Sequence, residues 1–137
     1  MAESLLELTA AVLRAEADLD FEVQHARQSA LFRRILEYME THYTDCELSP
    51  EKVAGANGIS VRYLHSLFNQ AGITVSRWIW ERRLKACRED LLDPNLNHMR
   101  VSEIAFRRGF NDPAHFSRAF KARFDISPSK MRQVQEG

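Results

Sequence analysis

Glycine is scarce in this sequence, with five in 137 residues, and no run of them could cradle a phosphate. Little room is left for active-site loops. No Ser-His-Asp, Cys-His or paired-carboxylate arrangement stands at a spacing that suggests catalysis, so an enzyme is not expected. Cysteine is scarcer still: Cys46 and Cys87 are too few and too separated for a disulfide framework and read as reduced thiols. His42 lies four residues before Cys46, but no third or fourth ligand follows at zinc-site spacing, so neither a metal nor another cofactor is expected. No segment approaches the roughly 20 apolar residues of a membrane span, and the N-terminus lacks the basic start and apolar run of a signal peptide. The expectation is a cytoplasmic protein with no membrane partner.

Net charge is also lacking, since 19 Lys and Arg balance 19 Asp and Glu. That zero hides a division. Residues 1–59 hold 5 basic and 11 acidic side chains, net −6, whereas residues 60–137 hold 14 and 8, net +6. A basic half suits a phosphate-facing surface, because neutralising phosphates releases counterions and supplies sequence-independent affinity. The 45% hydrophobic content is enough for the core of one ordinary domain.

What the chain does have is helical periodicity. Residues 3–17 place Leu5, Leu6, Leu8, Val12 and Leu13 at helical spacing among acidic residues, and residues 18–22 interrupt the pattern. A second helix from about residue 25 to 43 carries Ala30, Leu31, Ile35, Leu36, Met39 and Tyr43 inward. Ser49-Pro50 then caps a short helix with Val53 and Ala54 inward, and Asn57-Gly58 forms a turn. Ser60 caps the next helix. Its Leu64, Leu67 and Phe68 face in, and Arg62, His65, Ser66 and Asn69 share the opposite face. These two helices and their turn, over 49–71, read as a helix-turn-helix.

Thr74 caps a long helix over 75–92, with Val75, Trp78, Ile79, Leu84, Cys87 and Leu91 as its buried side and Arg77, Arg82, Arg83, Lys85 and Arg88 around it. At about 1.5 Å per residue this rod spans roughly 27 Å. Asp93-Pro94 ends it, and a polar loop leads to Ser102. Residues 101–108 predict a short capped helix with Ile104 and Ala105 inward. Gly109 tolerates a left-handed turn, and Asp112-Pro113 is again a cap with proline at the first helical position. Phe116, Phe120 and Phe124 recur every four residues as a buried face, with His115, Arg118, Lys121 and Ala122 pointing away. This is a second helix-turn-helix, over 102–124, with a basic outer face. Ser127-Pro128 caps a last helix from residue 129 to about 135.

Gly109-Phe110, then Phe116-Ser117-Arg118-Ala119-Phe120-Lys121, then Ser127-Pro128 resemble the signature of the AraC/XylS family of bacterial transcription regulators. Arg83-Leu84 and Leu91-Leu92 match its linker helix, with Cys87 where alanine is commoner. Asp125 stands where glycine is usual after the recognition helix, and Met131 where an aromatic usually follows Ser-Pro. The resemblance implies an all-α fold: two helix-turn-helix subdomains, homeodomain-like and AraC-type, joined by a long linker helix. Residues 1–24 would be an N-terminal amphipathic helix or connector ahead of a DNA-binding domain over 25–137.

It further implies a sequence-specific regulator that inserts two recognition helices into successive major grooves of double-stranded DNA, which recur every ~34 Å. The family's base-facing places fall on Arg62, His65 and Ser66 in the first motif and on Ala114, His115 and Arg118 in the second. A guanidinium can donate twice to guanine, which favours Arg62 and Arg118; each histidine offers one hydrogen bond, and Ser66 and Ala114 reach only a short way. Phosphate contacts fall to the helix starts at Ser60 and Asp112 and to Arg77, Ser117, Lys121 and Lys130. RNA polymerase is a further implied partner. The apolar stripe of the first helix must bury against the next helix, a second copy of the chain through dimerisation, or a sensor domain outside this sequence, so the chain reads either as a stand-alone binder or as the DNA-binding end of a longer regulator. The alternative is a helical protein-interaction module without DNA binding; arginines on both second helices and the doubled motif argue against it.

Overall fold

A computed structural model describes the backbone of residues 2–136 and the side chains of residues 7–134. Seven α-helices and no strand occur among the described residues: α1 (Ala2–His42), α2 (Pro50–Ala56), α3 (Val61–Ala71), α4 (Val75–Leu91), α5 (Val101–Arg107), α6 (Pro113–Phe124) and α7 (Pro128–Glu136), with a single 3₁₀ turn at Pro94–Leu96. None is long and apolar enough to cross a membrane. The chain divides into two compact units, Met1–Leu36 and Glu37–Gly137.

Two helices were expected ahead of Ser49, broken at residues 18–22, but α1 is one helix of 41 residues. The reason is local. No glycine or proline precedes Pro50, and Asp18, Asp20 and Phe21 cost a few tenths of a kcal/mol each in helix propensity, about 0.7 at most. The apolar periodicity lapses there while the backbone continues. In the first unit Leu8, Val12, Leu13, Leu19, Phe21 and Val23 are all at least half exposed. Ala30, expected inward, is also exposed, whereas Ile35 is fully buried. Leu5 and Leu6, part of the same expected stripe, lie outside the described side chains.

The second unit is built on α4. Its N-terminal half contacts α3 and buries Val75 and Ile79, and Met39, Tyr43, Val53, Leu64, Leu67 and Phe68 are also buried in this unit. Its C-terminal half contributes Leu84, Cys87 and Leu91 to a hydrophobic core with Ile104, Ala105, Phe110, Phe116, Phe120 and Met131. Each fully buried Leu, Ile, Val, Phe or Met side chain adds about 1.5–3 kcal/mol. One rod therefore contacts both helix pairs. Trp78, expected inward, is only half-buried, and Trp80 packs instead, its ring 5.0 Å from that of Phe110.

Caps follow the sequence at most helix starts. Ser49, Ser60 and Thr74 accept through their hydroxyls from the main-chain N–H of Lys52, Tyr63 and Arg77, at 3.3, 3.0 and 3.1 Å. The start of α5 differs: Arg100 occupies the cap without a side-chain bond, because Ser102 falls inside the first turn. The second helix of each pair ends in a left-handed residue, Gly72 at φ 79° after α3 and Asp125 at φ 68° after α6. Only the first has the glycine that conformation favours.

Arg83 corrects the sequence reading most. Expected among the cations around the buried side of the long helix, it is itself buried. Its Nε and Nη2 donate to the main-chain carbonyls of Tyr43 and Asp45, both at 2.7 Å. Burial pushes its pKa down from the usual arginine value. Beside it Arg108 donates to both oxygens of the buried Asp90 carboxylate, at 2.7 and 2.8 Å, and to the Tyr43 hydroxyl at 3.2 Å. The Asp90 bond holds the Arg108 pKa above its ordinary value. Gly109 lies directly over this cluster with φ 107°. A Cβ there would stand 2.6 Å from Arg83 Nε and 2.7 Å from the Tyr43 carbonyl oxygen. The second motif's glycine is thus required twice, by conformation and by close approach.

Candidate nucleic-acid interface

On α3 the apolar positions Leu64, Leu67 and Phe68 are buried, which turns the other face to solvent. Val61, Arg62, His65, Ser66, Asn69 and Gln70 line one shallow concave patch there. Arg62, His65 and Ser66 are all exposed on it. Gln70 was not singled out from sequence. It sits at the four-residue spacing from Ser66 that marks a common face, and its amide has the donor and acceptor needed to pair with adenine.

The equivalent surface of α6 follows from Phe116 and Phe120, which are buried with ring centroids 5.6 Å apart. Phe124 is half-buried, its ring 4.8 Å from that of Phe120. Ala114, His115, Ser117, Arg118 and Lys121 are exposed on the remaining face. The His115 ring meets Trp80 edge-on at 4.8 Å, which orients the imidazole from α4. Asp112 caps the helix: one carboxylate oxygen accepts from the N–H of Ala114 at 3.1 Å and of His115 at 3.2 Å. Ser60 plays the same part at the start of α3 with an uncharged hydroxyl.

Charge bookkeeping separates two kinds of cation. Of the 14 basic residues in 60–137, Arg82, Arg100, Arg108 and Arg123 are paired with Glu40, Glu103, Asp90 and Glu81. Glu40 is held below its ordinary pKa by the hydrogen bond from Arg82. Arg83 and Arg132 spend their guanidinium groups on main-chain carbonyls. The rest are exposed and have no carboxylate at ion-pair distance among the described residues. They include Arg62 and Arg118 on the two recognition-type helices, Arg77 in the first turn of α4, Lys121 on α6 and Lys130 in the first turn of α7, together with Lys85, Arg88 and Arg107. Every cation that sequence reasoning assigned to DNA falls in this second set. Structural arginines and solvent-facing ones look alike in sequence, and the structure divides them.

Two short-turn helix pairs, each presenting an exposed polar second helix and mounted on one α-helical rod, define the helix-turn-helix class. A helix-turn-helix domain model matches residues 53–134. Among curated proteins the chain is 35% identical over 133 residues to the transcriptional activator NphR of a Rhodococcus species, covering 97% of this chain and 35% of that protein. It is 36% identical over 108 residues to the HTH-type transcriptional activator RhaS of Klebsiella pneumoniae, covering 78% and 37%. The chain spans about a third of the length of these relatives. Among solved structures, the C-terminal domain of AraT, a response regulator from Geobacillus stearothermophilus, superposes with a TM-score of 0.70 at 30% identity, covering 76% of this chain and 84% of that one. The DNA-binding domain of AdpA, solved with a target DNA, shares the fold at a TM-score of 0.66 and 21% identity, covering 74% and 89%. The chain belongs to the AraC-type helix-turn-helix family of DNA-binding transcription regulators.

Proposed function

We propose that this chain is the DNA-binding part of a transcription regulator that reads double-stranded DNA with two helices, α3 from the motif over 49–71 and α6 from that over 102–124. One observation carries the reading: Arg62, Arg77, Arg118, Lys121 and Lys130 are all exposed and without a carboxylate partner among the described residues, while Arg82, Arg108 and Arg123 are paired with carboxylates of the fold itself. Arg62, His65 and Ser66, with Ala114, His115 and Arg118, are the base-facing groups, and the two arginines carry most of the discrimination. Arg77, Ser117, Lys121 and Lys130 set the register on phosphates. The helix starts at Ser60 and Asp112 contribute unequally. The Asp112 carboxylate already occupies the N–H groups of Ala114 and His115, so an incoming phosphate there would meet a negative charge. Ser60 presents no such charge.

The 17 residues of α4 span about 26 Å, less than the ~34 Å between successive major grooves on one face of the duplex. Simultaneous insertion then needs the DNA to curve toward the protein, at a cost of order 1–6 kcal/mol. The exposed apolar side chains of the first unit suit dimerisation or a sensor domain beyond this sequence, and RNA polymerase is the partner an activator would meet. The cytoplasm is where such a regulator would work. Selection from random DNA with this chain should enrich a bipartite site. Its affinity should fall with salt at a log–log slope of about 0.9 per phosphate neutralised. Mobility in a gel should depend on the site's place in the fragment. No enrichment together with salt-independent binding would remove the reading.

A further inference from the structure

The four groups around Gly109 do more than fill space. Tyr43, just beyond the end of α1, gives its carbonyl oxygen to Arg83 of α4 and its hydroxyl to Arg108 at the end of α5. Arg108 returns to α4 by gripping both oxygens of Asp90. Two residues of α4, seven positions apart, are thereby tied to the segment before the first motif and to the turn of the second. Gly109 follows Arg108 in sequence and seats the turn against Arg83 and the Tyr43 carbonyl with no room for a side chain. Packing in the hydrophobic core fixes how deeply α5 and α6 sit on the rod. Directional bonds are what can fix their rotation about it, because the geometry of a bidentate arginine–carboxylate pair allows little swivel.

We infer that Tyr43, Arg83, Asp90 and Arg108 form a junction that sets the angle between the two recognition helices and so the half-site spacing the protein accepts. They are positioning residues that touch no DNA. The two-half-site consequence rests on the reading proposed above; the geometric claim does not. A rigid junction makes the second half-site an intramolecular partner of the first, so its loss should reduce the gain from having both sites and leave each one alone.

The test uses the full chain with Cys46→Ser and spin labels on Asn69→Cys and Ala122→Cys, both exposed, while buried Cys87 stays unlabelled. The distance distribution between labels should be single and narrow in this background. Asp90→Asn and Tyr43→Phe should shift or broaden it. Should Asp90→Asn fail to fold, Tyr43→Phe, which removes one oxygen and no charge, still decides. On DNA selected by the unlabelled parent chain, the folded variants, unlabelled and with Asn69 and Ala122 intact, should keep their affinity for isolated half-sites. The advantage of the bipartite site should drop about tenfold, and the penalty for adding one base pair to the spacer should shrink. An unchanged narrow distribution in a folded variant overturns the junction, as does a distribution already broad in the parent. Equal loss on bipartite and single half-sites also overturns it, since that marks a general structural role. If the parent selects no DNA, the functional reading fails while the label distances still judge the geometry.

Discussion

Replacing Gly109 with alanine isolates the tightest point of the fold. At φ 107° an L-residue is strained, and a left-handed conformation costs roughly 1–2 kcal/mol. The new Cβ would also stand 2.6 Å from Arg83 Nε and 2.7 Å from the Tyr43 carbonyl oxygen. Neither neighbour yields easily: one is main chain, and the other is pinned by two short bonds to carbonyls. Overpacking of this kind costs about 1–3 kcal/mol, so the total is about 2–5 kcal/mol out of a domain stability of about 5–15. Gly58→Ala is the matched control, because Gly58 has φ 68° with open space around its Cβ position and bears only the conformational cost. Urea unfolding followed by the fluorescence of Trp78 and Trp80, both on α4, reads the region directly. With urea slopes of about 1–3 kcal/mol per molar, the Gly109→Ala midpoint should fall about 1 M below that of Gly58→Ala. Coincident midpoints for the two variants would refute the steric account.

Three other outcomes are expected. Arg118→Ala should relax specificity at one base position by about 1–3 kcal/mol, whereas Lys121→Ala should weaken all sequences alike and lower the salt slope by about one phosphate; binding-site selection and salt titration check both. Phe120→Ala, which empties a fully buried site among Phe116, Phe124 and Met131, should cost about 3–5 kcal/mol in chemical denaturation without altering which sequence the remaining folded protein selects. Burial pushes the Cys87 thiol up to about 12, so the native state keeps a proton that the unfolded state releases near 9. Stability is then undiminished by this group below about pH 9 and falls as pH rises toward 12; Cys87→Ala should flatten that alkaline decline in denaturation curves taken at pH 8 and about pH 10.

Sequence revealed the elements wherever one residue type carried a local mechanism. Ser49-Pro50, Thr74 and Asp112-Pro113 start helices as read, and the four-residue phenylalanine spacing placed Phe116 and Phe120 in the core. Exposure of Arg62 and Arg118 followed from the same periodicity. What escaped depends on partners far away in the chain. Arg83 reads like any other cation around the buried side of the rod, because nothing nearby in sequence shows that the carbonyls of Tyr43 and Asp45, about forty residues earlier, wait for it. Asp90 and Arg108 are 18 residues apart and gave no pattern. The continuity of α1 escapes sequence for the opposite reason: apolar spacing lapses at residues 18–22, yet no helix-breaking residue stands there.

Asp125 is a place where this molecule falls short of its own best design. The residue holds φ 68° just past the C-terminal end of α6 and sets a carboxylate where the helix already accumulates partial negative charge. Asp125→Gly would relieve both penalties at once, a gain of about 1 kcal/mol. It would also remove one anion from the half of the protein meant to meet a polyanion. Tighter folding and stronger attraction to the duplex would arrive with a single exchange, so the two can be improved together without touching any side chain proposed to read a base.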